Sequence, residues 1–207
     1  MIESKLLQSG ITKIAGVDEA GRGPCAGPLV VSAVILKDPT SSELNGVRDS
    51  KELSAPQRDR MYEVILNNSV AHSIIEFSAD EIDLLGLHKC NLEGMRRAVH
   101  ALKVKPEYIL TDGYSIPGMT EPNLAVWKGD QVAISISAAS ILAKVYRDRI
   151  MIELDRKYPN YGLANHKGYI TALHTAAIKK YGVLPIHRKS FSNIAEILKL
   201  KTNSQNF

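Results

Sequence analysis

Apolar positions fall first into short strand-like runs and later into helical spacing. Residues 14–17, Ile-Ala-Gly-Val, form one apolar, partly β-branched run, and 28–37 form a longer one able to pair with it as a hairpin. A polar loop covers 39–46; Ser54 then reads as the N-cap of a helix to about residue 66, with Pro56 near its first turn. A strand at 70–77 and a short helical turn at 79–85 precede an amphipathic helix at 87–103, with Leu92, Met95, Val99 and Leu102 on one face. Short strands are expected at 108–111 and 123–127. The longest helix spans 134–158, and its start, Ser137-Ala138-Ala139-Ser140, is small enough for close packing. Helices at 167–181 and 194–200 flank a basic loop at 187–189, and 202–207 reads as a frayed end. A meander followed by strands alternating with helices predicts an α/β chain, a mixed sheet with helices packed on it.

At 207 residues and 44% hydrophobic, the chain fits one large domain, or one domain with a small appendage. No apolar run is long enough to span a membrane, and Met-Ile-Glu-Ser-Lys has no signal-peptide core. The two cysteines, Cys25 and Cys90, lie far apart and form no Cys-x-x-Cys, which disfavours a zinc ribbon or a disulfide framework and suits a reducing cytoplasm. Charge is unevenly spread. Residues 1–139 carry 14 basic and 18 acidic side chains, whereas 140–207 carry 12 and 4. Carboxylates to hold cations and basic groups to hold phosphates would suit a metal-dependent enzyme acting on a polyanion; a basic solubilising surface would give the same numbers.

The chemistry concentrates where the first strand ends, at Asp18-Glu19-Ala20-Gly21-Arg22-Gly23-Pro24. Adjacent carboxylates on a strand point to opposite faces, and the glycines permit a bend and close backbone approach. Arg22 between two glycines suits a phosphate or sugar edge. A glycine-rich turn after a strand resembles a dinucleotide fingerprint, but Pro24 and Gly27-Pro28 break the helix that fingerprint requires, and no Gly-Lys-Ser/Thr supplies a P-loop. Asp112 ends a later strand and Asp130 follows another. Carboxylates at neighbouring strand ends converge into an oxygen-rich site for Mg²⁺ or Mn²⁺, although Asp-Gly after a strand is also an ordinary turn. On the long helix, Ser137, Ser140, Lys144, Arg147 and Asp148 form a polar stripe, either a site wall or a solvated face with a Lys144–Asp148 pair worth about 0.2–0.5 kcal/mol. The aromatic, basic segment 161–169 could contact sugar and phosphate, or pack its tyrosines.

Taken together, these motifs resemble bacterial ribonuclease HII, the type 2 ribonuclease H family. The resemblance rests on the 18–24 motif with Ala26-Gly27-Pro28, on Asp49-Ser50-Lys51, Thr111-Asp112-Gly113 and Lys128-Gly129-Asp130, and on Ala138 through Val145 with Arg147-Asp148. It continues through Tyr158-Pro159-x-Tyr161-Gly162, His166-Lys167-Gly168-Tyr169 and His187-Arg188-Lys189-Ser190-Phe191, covering roughly residues 12–195. One departure is Leu163, where the family often has Phe.

The resemblance implies a ribonuclease H-like fold with a mixed five-stranded sheet flanked by helices. Residues 1–185 would form the catalytic domain, and 186–207 a helical extension packed on it. It implies an endonuclease that hydrolyses RNA in RNA–DNA hybrids and cuts 5′ of single ribonucleotides in duplex DNA, leaving 3′-hydroxyl and 5′-phosphate ends. Asp18, Glu19, Asp112 and Asp130 match the family's catalytic, metal-binding carboxylates, which would take two Mn²⁺ or Mg²⁺ ions during catalysis. Gly21-Arg22-Gly23 matches the segment that senses the ribose 2′-hydroxyl, and Tyr169 the tyrosine that stacks on the neighbouring deoxyribose. Lys51, Ser140, Lys144, His166, Lys167 and Arg188 are expected to contact nucleic acid. A cytoplasmic monomer without membrane contact is expected. A binder that no longer cuts and a DNA-only two-metal nuclease are the competing readings; the full set of carboxylates counts against the first, and Gly-Arg-Gly with Tyr169 against the second.

Overall fold

The computed structural model describes residues 2–204, and the side chains of 2–199. Its element order is α1 (Ile2–Gln8), β1 (Ile14–Ala20), β2 (Leu29–Leu36), α2 (Ala55–Asn67), β3 (Ser69–Phe77), α3 (Ala79–Leu85), α4 (Leu87–His100), β4 (Tyr108–Asp112), β5 (Asn123–Val126), α5 (Gly129–Val132), α6 (Ile134–Lys157), α7 (Leu163–His166), α8 (Ala172–Tyr181) and α9 (Ser192–Ser204). The five strands form one mixed sheet in the order β3-β2-β1-β4-β5. β1 and β2 pair antiparallel, as their adjacency predicts, while β1–β4 and β4–β5 are parallel. All eight β2 side chains are buried, so this strand reads as a continuous apolar run without alternation.

The chain divides into two compact units. The first comprises Met1–Ala20, Val30–Glu76 and Asn91–Tyr146, and the second Gly21–Leu29, Phe77–Cys90 and Arg147–Phe207. In the first, Val34, Leu36, Tyr62 and Ile65 pack with Ala138, Ala139, Ile141 and Leu142 of α6. Small residues at the start of α6 do allow close approach: a Cβ on Gly16 of β1 would collide with the backbone of Ser135 and Ile136. The second unit has its own core, in which Cys25, Met151, Tyr161, Leu163 and Ile178 pack with Ile194 and Ile197 of α9.

Several elements depart from the sequence expectation, among them the single turns α5 and α7, which it did not contain. The helix expected over 167–181 begins only at Ala172, because Lys167 (φ 51°) and Gly168 (φ 83°) are left-handed and Thr171 caps α8 by accepting the His174 N–H. α1 was not anticipated; buried Glu3 anchors it by accepting the backbone N–H and the hydroxyl of Ser135 at 3.0 and 2.7 Å. The last helix runs through Ser204, past the expected fraying point, and residues 205–207 lie outside the described residues. Among the described residues no helix is long and apolar enough to cross a membrane.

Candidate active site

In the first unit, register brings the acids together. Val17 of β1 pairs with Thr111 of the parallel strand β4, so Asp18 and Asp112 follow it at the same end of adjacent strands. Asp130 enters from α5, a single turn opened by Lys128 in the left-handed region. Oxygens of Asp18, Asp112 and Asp130 all lie within 4.8 Å of one another. Asp112 is oriented by the Gly129 N–H, which donates to its Oδ1 at 2.8 Å, and Ser137 Oγ donates to the Asp130 carbonyl at 2.7 Å.

The crowding leaves an electrostatic signature. Burial holds the Asp18 carboxyl well above the usual range, and the charges of Glu19 and Asp112 push it further. Asp130 is raised by burial too, against the pull of the Lys51 ammonium 3.2 Å away. Buried oxygen donors that repel one another fit a hard divalent cation, whose charge would remove the repulsion. Glu19 is half-buried beside this trio; its N–H donates to Asp18 Oδ1 at 2.7 Å, and it is not among the three carboxylates that converge within 4.8 Å.

Other expected contacts sit around the acids. Lys51, 76% exposed, bonds Asp130 at 3.2 Å and lies 3.7 Å from Asp49, so its ammonium stands against the carboxylates. Burial alone would lower its pKa, yet these acids leave it raised. Ser140 is buried and shares a 2.8 Å hydrogen bond with Ser50. The polar stripe on α6 is therefore not a solvated face: Ser137, Ser140 and Arg147 are all buried, while Lys144 is half-buried. A cavity of about 270 Å³ opens beside Asp130, lined by Arg48, Asp49, Glu52, Gln131 and Val132 among others.

In the second unit, two buried guanidiniums shape the glycine-rich segment. Arg147 donates to the carbonyls of Pro28, Lys167 and Ala26 at 2.9–3.0 Å. Arg188 donates to those of Gly21, Arg22 and Gly27 at 2.6–3.2 Å. Burial draws both down to about 10, and Arg147's charge adds to the effect on Arg188. This corrects the expectation that Arg188 contacts phosphate: it is fully buried, and its donors are committed to the loop. Gly21 (φ 96°) has room for no side chain, since a Cβ there would collide with Arg147. Arg22 is half-buried and Gly23 exposed. A Cβ on Gly23 would sit 3.3 Å from Cε1 of Tyr169, whose side chain is 50% exposed.

Three histidines fix the Tyr169 segment from behind. The Leu184 N–H donates to His187 Nδ1 at 2.8 Å, which puts the His187 proton on Nε2. That proton points to His174 Nε2 at 3.1 Å, leaving His174 Nδ1–H to donate to the Tyr169 carbonyl at 2.9 Å. His166 stacks on His174 at 4.2 Å and uses both ring nitrogens locally, on the Tyr161 carbonyl and the Gly168 N–H. Lys167 Nζ donates to the Ala164 carbonyl. His174 was not singled out from sequence; Arg147 was read as part of the polar stripe of α6 and His187 as part of a basic loop, and the part each plays as a buried group was missed. Periodicity could have found the burial of Arg147, because Ile136, Ser140, Ala143 and Arg147 continue one buried stripe of α6.

A family model described as Ribonuclease HII matches residues 15–194. The chain belongs to the ribonuclease HII family. Ribonuclease HII of Salinispora arenicola is 50% identical over 196 residues, covering 95% of this chain and 73% of that protein. The Nocardioides sp. ribonuclease HII is 52% identical over 192 residues, 93% of this chain and 80% of its relative. Among solved structures, the ribonuclease H2 from Pyrococcus horikoshii OT3 superposes with a TM-score of 0.80 at 28% identity, covering 91% of this chain and 98% of that one. The mixed five-stranded sheet is thus the ribonuclease H-like fold, and the family consists of hydrolytic nucleases that cleave RNA in RNA–DNA hybrids.

Proposed function

We propose that the chain hydrolyses the RNA strand of hybrids and also incises 5′ of single ribonucleotides embedded in duplex DNA, leaving 3′-hydroxyl and 5′-phosphate ends. The convergence of Asp18, Asp112 and Asp130 carries the reading. These three, with Glu19 beside them, would hold Mg²⁺ or Mn²⁺, two ions in the catalytic state. The chemistry such cations supply when bound is acidification of a water and neutralisation of charge on the attacked phosphodiester. The protein's own part is placement: the Gly129 N–H orients Asp112, and burial keeps bulk water from screening the carboxylates.

Discrimination falls to the second unit. Gly21-Arg22-Gly23, with its carbonyls pinned by Arg188, would present backbone to a 2′-hydroxyl. Tyr169, half-exposed beside Gly23, would pack on the adjoining deoxyribose and refuse a ribose. Lys51, Ser140, Lys144, His166 and Lys167 would line the nucleic-acid path. Residues 186–207, read as an extension of a catalytic domain at 1–185, would brace the reading loop through Arg188. The enzyme would act as a monomer in the cytoplasm.

The test uses end-labelled duplex DNA containing one ribonucleotide, with all-DNA and metal-free controls. One metal-dependent incision 5′ of the ribonucleotide is expected. Salt-sensitive binding without incision would replace the reading with a non-cutting binder, and cleavage of the all-DNA duplex with a general nuclease.

A further inference from the structure

The sequence has a single tryptophan, and its side chain is 83% exposed. Trp127 follows the last residue of β5, in the first unit, where three features of the backbone coincide. Val126 is the register partner of Asp112, and its carbonyl accepts the Gly113 N–H at 3.0 Å. Three residues further on, the Gly129 N–H donates to Asp112 Oδ1 at 2.8 Å. Trp127 and Lys128 are therefore the tip of a turn fastened at both ends to the Asp112 segment, directly before Asp130. Lys128 itself holds φ 52°, ψ 48°, a left-handed conformation that a side chain disfavours and that concentrates at functional sites.

A large aromatic thus stands in water on a left-handed turn tied to two of the clustered carboxylates. From this juxtaposition we infer that Trp127 is a platform on which a backbone sugar of the hybrid engaged at the carboxylates packs, with the exposed Lys128 beside it for an adjacent phosphate. Packing on a sugar suits a base-paired hybrid, whose base faces are already covered by their neighbours, and the contact adds affinity without demanding a sequence. The occupant is nucleic acid rather than another protein because the tip is continuous with carboxylates of a family that acts on RNA–DNA hybrids, and because an exposed cation accompanies the ring. Leu124 and Val132, both partly exposed, widen the apolar surface on the same stretch of chain. The inference rests on the proposed reading that these carboxylates act on a nucleic-acid strand.

Because Trp127 is the sole tryptophan, its emission reports the contact directly. Titrating an RNA–DNA hybrid into the protein with a chelator present, so that nothing is cut, should quench the emission saturably. Trp127→Ala should bind the hybrid about fivefold more weakly and Trp127→Phe should recover most of the loss. Equal melting temperatures would show that the exposed position is not structural. Unchanged emission on saturation, or wild-type affinity in Trp127→Ala, would overturn the platform and leave the nuclease reading standing. Emission that instead changes with protein concentration alone would overturn it in favour of a second copy covering the ring. Failure of the unaltered protein to bind hybrid at all would overturn both.

Discussion

Each unit buries charge, and each handles it in an opposite way. In the first, Asp18 and Asp130 are buried with Asp112 close by, and the Lys51 ammonium answers Asp130 from an exposed position. In the second, Arg147 and Arg188 are buried more deeply, yet their guanidiniums are met by six backbone carbonyls: Pro28, Ala26, Lys167, Gly21, Arg22 and Gly27. Burial pushes both sets toward their neutral forms, but the acids also repel one another and suit a cation, whereas the guanidiniums spend their donors on carbonyls and hold backbone in place. The first region has the electrostatics of a site and the second those of a scaffold, although both carry family motifs.

The comparison breaks most visibly at Asp18. Asp18→Asn keeps an acceptor for the Glu19 N–H but removes one of the repelling charges. Cleavage should fall by at least about a hundredfold, as when a group aimed at developing charge is lost. The metal-free protein should melt at a higher temperature, because the crowding is relieved. A variant that loses both activity and stability would make Asp18 a structural acid and erase the contrast.

Arg188 is the matching probe in the second unit. Arg188→Lys keeps the positive charge but cannot serve the three carbonyls from one planar fork, and unpaired buried groups cost about 1–3 kcal/mol each. A loss of roughly 2 kcal/mol in urea unfolding is expected. The salt dependence of hybrid binding should keep its slope in Arg188→Ala; a slope reduced by about one would restore a phosphate contact.

Acid should sharpen the contrast from the histidine side. Burial pushes His187 down to about 4, with His174's charge adding to it, and His174 is lowered as well. A depressed histidine is neutral when folded, so the unfolded chain binds more protons between its ordinary value near 6.5 and about 4. Stability is therefore fully present above the unfolded value and is lost as pH falls through that window, by roughly 3 kcal/mol for His187. Denaturation midpoints between neutral pH and pH 4 measure this. A His187 ring titrating near 6.5 by NMR would show that the His187–His174 bond does not hold the neutral pair.

Much of this contrast was legible beforehand, for identifiable reasons. The hairpin of β1 and β2, the parallel strands and the long helix follow from apolar runs and their periods, and clustering of Asp18, Asp112 and Asp130 follows from strand ends. The second unit was less legible because its determinants are bonds to backbone. Nothing in Arg188's neighbours in sequence says that its partners are the carbonyls of Gly21 and Gly27, and a basic loop looks like a phosphate site until its burial is known. The false helix start at 167 has a similar origin: Lys167 is an ordinary helix former held left-handed by its surroundings. Trp127 was passed over because it ends a strand by pattern, and exposure is not a sequence property.

The smallest effect belongs to an exposed charge cluster of the first unit, apart from its three carboxylates. On α4, Glu93 accepts from Arg96 and Arg97 at 2.7–2.8 Å, and these hydrogen bonds, Arg96's first, hold its carboxyl down at about 2. Its geometry rivals that of Arg188, but both arginines are nearly half exposed, and solvent screens what burial would have preserved. Glu93→Gln should cost no more than about 0.5–1 kcal/mol, and less in high salt. The sign runs opposite to that of the histidines in cause and alike in direction: a depressed carboxyl stabilises above its unfolded value near 4.5, and that contribution is lost as pH falls toward 2. A loss as large as that of Arg188→Lys would mean that good geometry alone sets the worth of a charge here, and burial would no longer separate the two regions.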